Sequence, residues 1–119
     1  MPALTRVLGA ATAAYSATII VAPKVLAKPC GLTTPGGEVS RDVRTLIGGI
    51  GARDAAIGLA MVFAAPGRPL QLALAARVAS DTADALVFGT GLPERSARKK
   101  VAVFAAAWAA LCAASALFP

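Results

Sequence analysis

The chain has 119 residues, of which 57% are apolar and 15% charged, and its formal charge is +6. An ordinary soluble domain carries about 25% charged residues, so too few polar side chains are present to cover a water-exposed surface. The length allows about four membrane-spanning helices of roughly 20 residues each and excludes a separate soluble catalytic domain. We therefore predict an all-α protein, an integral-membrane four-helix bundle that forms a single transmembrane domain over residues 1–119.

The basic residues lie in separate connections and form no single basic face with interleaved aromatic residues, which argues against a nucleic-acid partner. The chain has no His and only two cysteines, Cys30 and Cys112. Zinc, haem and iron–sulfur sites therefore lack their usual ligands. We predict neither a metal nor any other cofactor.

Four apolar stretches of helical length follow one another, and the connections between them contain the helix breakers Pro and Gly. The first stretch is longer than the roughly 7–15-residue core of a signal peptide, so we expect it to remain as a span. Ser40 is the expected N-cap of the second helix, with Asp42 in its first turn. The predicted spans are residues 7–27, 43–65, 70–92 and 101–118.

Basic residues near the span ends predict the orientation, because cytoplasmic loops are enriched in Lys and Arg. Only Arg6 and Arg68 flank one side of the predicted spans. We therefore expect a multi-pass protein of the inner (plasma) membrane, surrounded by lipid, with both termini on the non-cytoplasmic side. The basic residues on the opposite side are Lys24, Lys28, Arg41, Arg44, Arg95, Arg98, Lys99 and Lys100.

Charged residues also fall inside the second and third spans: Arg53, Asp54, Arg77, Asp81 and Asp84. Each would cost roughly 2.5–3.5 kcal/mol if it faced lipid alone, so we expect them to face inward and to pair. The connection between these two helices is short, so the numbers of facing residues sum to about 135. This register predicts that Arg53 pairs with Asp81 or Asp84, and Arg77 with Asp54 or Asp81.

The five charges form a candidate site for acid–base chemistry. Their formal sum is minus one, which favours a protonated aspartate or a bound cation. A protonated carboxyl in an apolar cavity can donate a proton, and an ionised partner can accept one. Asp81 and Asp84 are the first candidates for donor and acceptor, Asp54 is the alternative, and Arg53 and Arg77 would position them. The same charges can instead serve only to hold the helices together.

Three further residues are candidates for substrate binding: Tyr15, Ser80 and Trp108. Tyr15 shares a face of the first helix with other hydroxyl side chains and either reaches the charged cluster or makes an ordinary interhelical hydrogen bond. Ser80 follows Arg77 by three residues and so lies on the charged stripe. Trp108 lies near the centre of its span, away from the usual interfacial belt, where it either lines a pocket or fills the core.

Small residues dominate the middle of the second span, where Gly51, Ala55 and Gly58 predict the close approach of another helix. The Gly-x-Arg-Asp-x-x-x-Gly run from Gly51 to Gly58, followed by Asp81 and Asp84, resembles small bacterial and fungal four-helix membrane proteins of unknown function that are grouped with DoxX-like proteins. The resemblance covers most of the chain and implies an integral-membrane four-helix bundle. It implies no activity and carries over no catalytic residues.

Three functions follow from these expectations. The first is a buried Arg/Asp cluster that binds an apolar or amphipathic small molecule, with isomerisation or cyclisation of an isoprenoid-like substrate as chemistry that suits an acid in an apolar cavity. The second is a proton-coupled transporter or channel, which four short helices would form as a homodimer. The third is a structural or accessory subunit of a membrane enzyme. A cavity lined by the aspartates favours the first, a polar route to both membrane faces favours the second, and a fully satisfied cluster favours the third.

Overall fold

The computed structural model describes residues 2–118 and confirms an all-α protein, with 78% of these residues in helices. Four helices are long, as predicted, and a one-turn helix lies in the first connection. Within residues 2–118 there is no strand. The helices are α1 Ala3–Val21, α2 Lys24–Ala27, α3 Arg41–Phe63, α4 Arg68–Gly91 and α5 Arg95–Ser115.

Two of the predicted spans have different bounds in the structure. The first, residues 7–27, is divided, because α1 ends at Val21 and Pro23, whose ring fixes φ, begins the separate helix α2. The last, residues 101–118, starts earlier at Arg95, since the basic residues before Val101 are good helix formers although they are not apolar. It stops at Ser115, and the following backbone N–H groups bond to carbonyls three residues back, which tightens the end of the helix.

The ends of α3 are capped from two directions. The Ser40 side chain accepts a hydrogen bond from the backbone N–H of Val43 at 3.3 Å, which confirms the predicted N-cap. At the other end the guanidinium of Arg6, on α1, donates to the carbonyl oxygens of Met61, Val62 and Ala64. Arg6 therefore holds the last turn of α3, whose carbonyls have no partner inside the helix.

The helices form two closely packed pairs, α1 with α3 and α4 with α5, while α3 and α4 contact each other less. A Cβ added at Gly58 would lie 2.7 Å from the Gly9 carbonyl oxygen and 2.9 Å from the Ala13 backbone nitrogen, so the α1 and α3 backbones are in direct contact. Gly51 is similarly covered by Ile20 of α1. The small residues of the second span thus provide the predicted close approach, and the approaching helix is α1.

The distribution of polarity is the reverse of that in a water-soluble protein. Arg77 is 1% exposed and Asp81 7%, whereas the aromatic side chain of Phe63 is 78% exposed. Large apolar side chains are exposed along all four long helices, including Val7, Ile20, Leu46, Leu59, Phe63, Leu72, Leu86, Val87, Val103, Phe104 and Leu111. The described surface is therefore apolar around most of its circumference. Of its central charges, Arg77 and the three aspartates are turned inward, whereas the side chain of Arg53 is 37% exposed.

Two helices within residues 2–118, α1 and α3, are long and apolar enough to cross a membrane by length and composition alone. The third and fourth predicted spans do not meet this criterion. In α4 the charges of Arg77, Asp81 and Asp84 interrupt the apolar sequence, and in α5 the first turns are basic, which leaves only residues 101–115 as its apolar helical part.

Candidate functional site

Arg77 is the most deeply buried charged residue of the cluster and is held by two aspartates. Its Nε and Nη2 atoms donate to both oxygens of Asp81, one turn further along α4, at 3.0 and 2.6 Å. Nη2 also donates to Oδ1 of Asp54 on α3 at 3.0 Å. The pairing that the helix register predicted for Arg77 therefore forms with both candidate aspartates.

Arg53 makes the second set of ion pairs. Its Nη1 and Nη2 atoms donate to the two oxygens of Asp84 at 3.1 and 2.7 Å, which is a bidentate contact between α3 and α4. Its Nε atom donates to Oδ1 of Asp54 at 2.8 Å. Asp84 is therefore the partner of Arg53, and Asp54 lies between the two arginines.

The hydrogen bonds are unevenly divided among the three carboxylates. Asp81 and Asp84 each use both oxygens to bind an arginine, whereas Asp54 accepts both of its bonds through Oδ1. Within residues 2–118, Oδ2 of Asp54 accepts no hydrogen bond and Nη1 of Arg77 donates none. The ion-pair network therefore retains one carboxylate oxygen and one guanidinium nitrogen that make no hydrogen bond, and they belong to two residues that bond to each other.

A cavity of about 300 Å³ lies directly against this network and is surrounded by all four long helices. Its polar part consists of Asp54, Arg77, Asp81 and Asp84, with the hydroxyl side chains of α1 nearby. The remaining wall is almost entirely apolar and aromatic. The lining residues are Ala11, Thr12, Tyr15, Ser16, Leu26, Ile50, Asp54, Arg77, Asp81, Asp84, Phe88, Val101, Phe104, Ala105 and Trp108.

The cavity reaches the protein surface between α1 and α5. Tyr15 of α1 and Phe104 of α5 line the cavity, yet they are 43% and 65% exposed. Contacts between α1 and α5 are sparse, and a hydrogen bond from Trp108 to Thr12 bridges the two helices, so the opening lies beside Tyr15 and Phe104. A molecule outside the helices can therefore reach the charged cluster from the side, past one phenol and one phenyl ring.

Apolar layers close the cavity toward both ends of the molecule. Toward the α3–α4 connection, Leu8, Met61 and Leu74 form a buried apolar cluster. Toward the opposite end, Cys30, Leu92 and Ala97 form another. The charged cluster thus lies in a central chamber between two apolar layers. Nearer the α3–α4 connection, Thr5 and Ser115 form a buried hydrogen bond of 2.7 Å beside a second cavity.

The predicted substrate-binding residues have different positions. Trp108 lines the cavity and donates from Nε1 to Oγ1 of Thr12 at 3.2 Å, which fixes the indole in the wall. Tyr15 lines the cavity beside the cluster. Ser80 is not a lining residue, because it is about 60° from Arg77 around the helix and so lies at the edge of the charged stripe. Arg53 does not line the cavity either, but it donates hydrogen bonds to Asp54 and Asp84, which do.

Sequence reasoning missed the aromatic wall, in particular Phe88 and Phe104. Both could have been found from helical spacing. Phe88 follows Asp84 by four residues and Asp81 by seven, and Phe104 precedes Trp108 by four, so each shares a stripe with a residue already selected. The missing information was that α5 contributes its Phe104–Trp108 face to the same chamber.

Comparison with known proteins gives no match: no family model, no curated protein and no solved structure is significantly similar to this chain. The resemblance to DoxX-like proteins stays a prediction, and the function has to be inferred from the site itself.

Proposed function

We propose that this chain is a multi-pass membrane protein that binds a hydrophobic or amphipathic small molecule in its central cavity. The polar end of the ligand lies against the Arg–Asp cluster and its apolar part against the aromatic wall. The observation that carries this proposal is that Arg77 and Asp54, which line the polar side of an otherwise apolar chamber, keep one nitrogen and one oxygen without a hydrogen bond. Small-molecule binding pockets typically have a mostly apolar lining with a few polar groups in defined positions.

A membrane location is supported by length and by surface polarity. A helix of 23 residues such as α3 is about 35 Å long at 1.5 Å per residue, enough to cross a hydrocarbon core of about 30 Å. The exposed apolar side chains would contact lipid. The charges of α4, which make it too polar by composition, are paired with α3 or within α4, and paired inward-facing charges are the form in which membrane helices tolerate them.

The proposed orientation places both termini on the non-cytoplasmic side. Lys28 and Lys100 are among the basic residues at the end that contains Cys30, and an excess of Lys and Arg is typical of cytoplasmic connections. Single cysteines introduced as Gly36→Cys and Arg68→Cys, in a chain without Cys30 and Cys112, test this. A membrane-impermeant maleimide added to whole cells should label the cysteine at position 68 and not the one at position 36, and the reverse pattern would contradict the orientation.

Binding is better supported than conduction or a purely structural role. The apolar layers above and below the chamber, which contain Met61 and Leu92, argue against a polar route to both faces. A purely structural role is less well supported, because the two residues with unbonded atoms, Asp54 and Arg77, both line the cavity.

Acid–base catalysis on the bound molecule is a second candidate function, and the free oxygen of Asp54 favours it. A carboxyl that exchanges a proton with a substrate needs an oxygen within reach of it. Asp81 and Asp84 give both oxygens to arginines, so Asp54 becomes the first candidate for the proton-transferring group in place of those two. Isomerisation or cyclisation of an isoprenoid-like molecule is the chemistry that this arrangement suits.

Fluorescence of Trp108, the single tryptophan, tests ligand binding directly because its indole lines the cavity. In lipid nanodiscs, a bromine-labelled ten-carbon amphiphile should quench this fluorescence saturably. The variant Ala105→Phe, which fills the cavity, should lose the saturable part. The matched control Ala106→Phe places the same ring at the neighbouring exposed position and should keep it. Quenching that never saturates in the native protein would contradict the proposal.

A further inference from the structure

Resting on the proposed function, we infer that the natural ligand carries a neutral hydroxyl head group and not a carboxylate or an ammonium. The hydroxyl donates to Oδ2 of Asp54 and accepts from Nη1 of Arg77. An apolar body of about ten carbon atoms fills the rest of the chamber.

The nature of the head group follows from the arrangement of the unbonded polar atoms. Nη2 of Arg77 and Oδ1 of Asp54 are joined at 3.0 Å, so the free Nη1 and Oδ2 belong to two groups already in contact. One is a donor and the other an acceptor. A hydroxyl has one donor hydrogen and two acceptor lone pairs on a single oxygen, so one small group satisfies both.

Charged head groups satisfy only half of this pair. A carboxylate accepts but does not donate, and it would add a negative charge beside three aspartates and two arginines, a cluster that already sums to minus one. An ammonium would offset the formal charge of minus one, but it donates and does not accept, so Nη1 of Arg77 would stay without a partner while a further ion loses its hydration. A neutral hydroxyl avoids both costs.

The size and lining of the chamber define the rest of the ligand. A volume of about 300 Å³ holds about ten groups of water size, at about 30 Å³ each. Phe88, Phe104 and Trp108 line the apolar part of the wall, and no charged side chain lies in that part among the lining residues. The body is therefore a hydrocarbon of about ten carbons, which enters from the lipid between α1 and α5.

Three probes of equal chain length test the head group: 10-bromodecan-1-ol, 10-bromodecanoate and 10-bromodecylammonium. Each is titrated at pH 7 into nanodiscs that contain the native protein, and quenching of Trp108 gives the midpoint. The alcohol should saturate at a concentration about tenfold below those of the other two, as expected for one satisfied buried hydrogen bond. If the carboxylate or the ammonium has the lowest midpoint, the head-group inference is wrong while the binding function stands. If no probe saturates, the binding function itself is wrong.

The variant Asp54→Asn supplies a charge-sensitive readout that a merely structural role of Asp54 would not move. It removes the uncompensated negative charge, so the midpoint of the carboxylate should fall while that of the alcohol rises. Asp42→Asn makes the same substitution at an exposed position of α3 and should leave all three midpoints unchanged. If the midpoints of the three probes keep the same order and the same ratios in Asp54→Asn as in the native protein, the head group does not bind to Asp54 and the assignment is wrong. Should Asp54→Asn not fold, the order of the three probes on the native protein still decides.

Discussion

Nη2 of Arg77 on α4 lies 3.0 Å from Oδ1 of Asp54 on α3, and this ion pair joins the α1–α3 pair to the α4–α5 pair, which also meet in the apolar cluster around Leu8, Met61 and Leu74. The bidentate contact of Arg53 with Asp84 crosses between the same halves. The charged cluster is thus both the polar side of the cavity and a main link between the α1–α3 and α4–α5 pairs. Ligand affinity and the assembly of the helices should therefore respond together to changes in these residues.

Replacing Arg77 by Met should destabilise the folded protein by about 3–5 kcal/mol, because Asp81 then keeps a buried charge without its partner and Asp54 retains only Arg53. The loss is measured as the change in the free energy of unfolding in sodium dodecyl sulfate, followed by Trp108 fluorescence. The double variant Arg77→Met/Asp81→Leu should recover part of the lost free energy of unfolding, since apolar residues often replace a buried ion pair at little cost. Arg44→Met, at an exposed position, is the control. Equal effects of Arg77→Met and Arg44→Met would show that the pairs do not stabilise the fold.

The substitution Gly58→Ala should cost about 1–3 kcal/mol, because its Cβ would lie 2.7 Å from the carbonyl oxygen of Gly9 and a backbone cannot move away as a side chain can. Unfolding in the same detergent measures the effect. Gly49→Ala is the matched control on the same helix, with no atom within 4 Å of the new Cβ. It should raise stability by up to about 1 kcal/mol through helix propensity. If Gly58→Ala and Gly49→Ala have the same free energy of unfolding, the backbones of α1 and α3 are not in direct contact at Gly58.

Loss of the side chain in Arg6→Ala should destabilise α3 by about 1.5–3 kcal/mol, the range for hydrogen bonds to a charged group. Its Nη2 atom donates to the Ala64 carbonyl at 2.9 Å, and Nη1 to two further carbonyls of the last turn. Arg68→Ala removes an exposed basic residue at the same end of the molecule and should change stability little. Amide hydrogen exchange at residues 60–64 should rise in Arg6→Ala alone; unchanged exchange there would contradict the capping role.

Cys30 should react slowly with maleimides in the folded protein. Its thiol is 1% exposed, and burial raises its pKa, an effect that the nearby Lys100 ammonium partly offsets. Because the thiolate is the reactive form, a raised pKa leaves less of it at a given pH, so the labelling rate should still be rising above the ordinary thiol pKa of about 8.5. The measurement uses Cys112→Ala to isolate Cys30.

Opening the layer that covers this thiol provides the control. Leu92→Ala removes a side chain packed with Cys30 and should accelerate labelling, whereas Val103→Ala, at an exposed position, should not. Fast labelling of Cys30 in the protein that keeps Leu92 would show that the thiol is exposed in an open loop, which would contradict the prediction.

Much of the fold and of the charged cluster could be predicted from the sequence. Helical period and apolar length indicated the long helices, and Ser40 marked the start of α3. The pairing of Arg53 and Arg77 with aspartates followed from two elementary facts: a charge without a partner is costly in an apolar environment, and a short connection fixes which residues of two helices face each other.

The sequence by itself determined that these charges must pair inward, because that requirement depends only on their cost and on the helical period. It could not decide which carboxylate would keep a free oxygen, since the division of hydrogen bonds between Asp54, Asp81 and Asp84 depends on sub-ångström positions of three side chains on two helices. Nor could it show that α5 completes the cavity, that Ser80 falls outside it, or that α1 packs on Gly58. Those outcomes depend on how helices distant in the chain are rotated and spaced against one another, and only the tertiary structure fixes that.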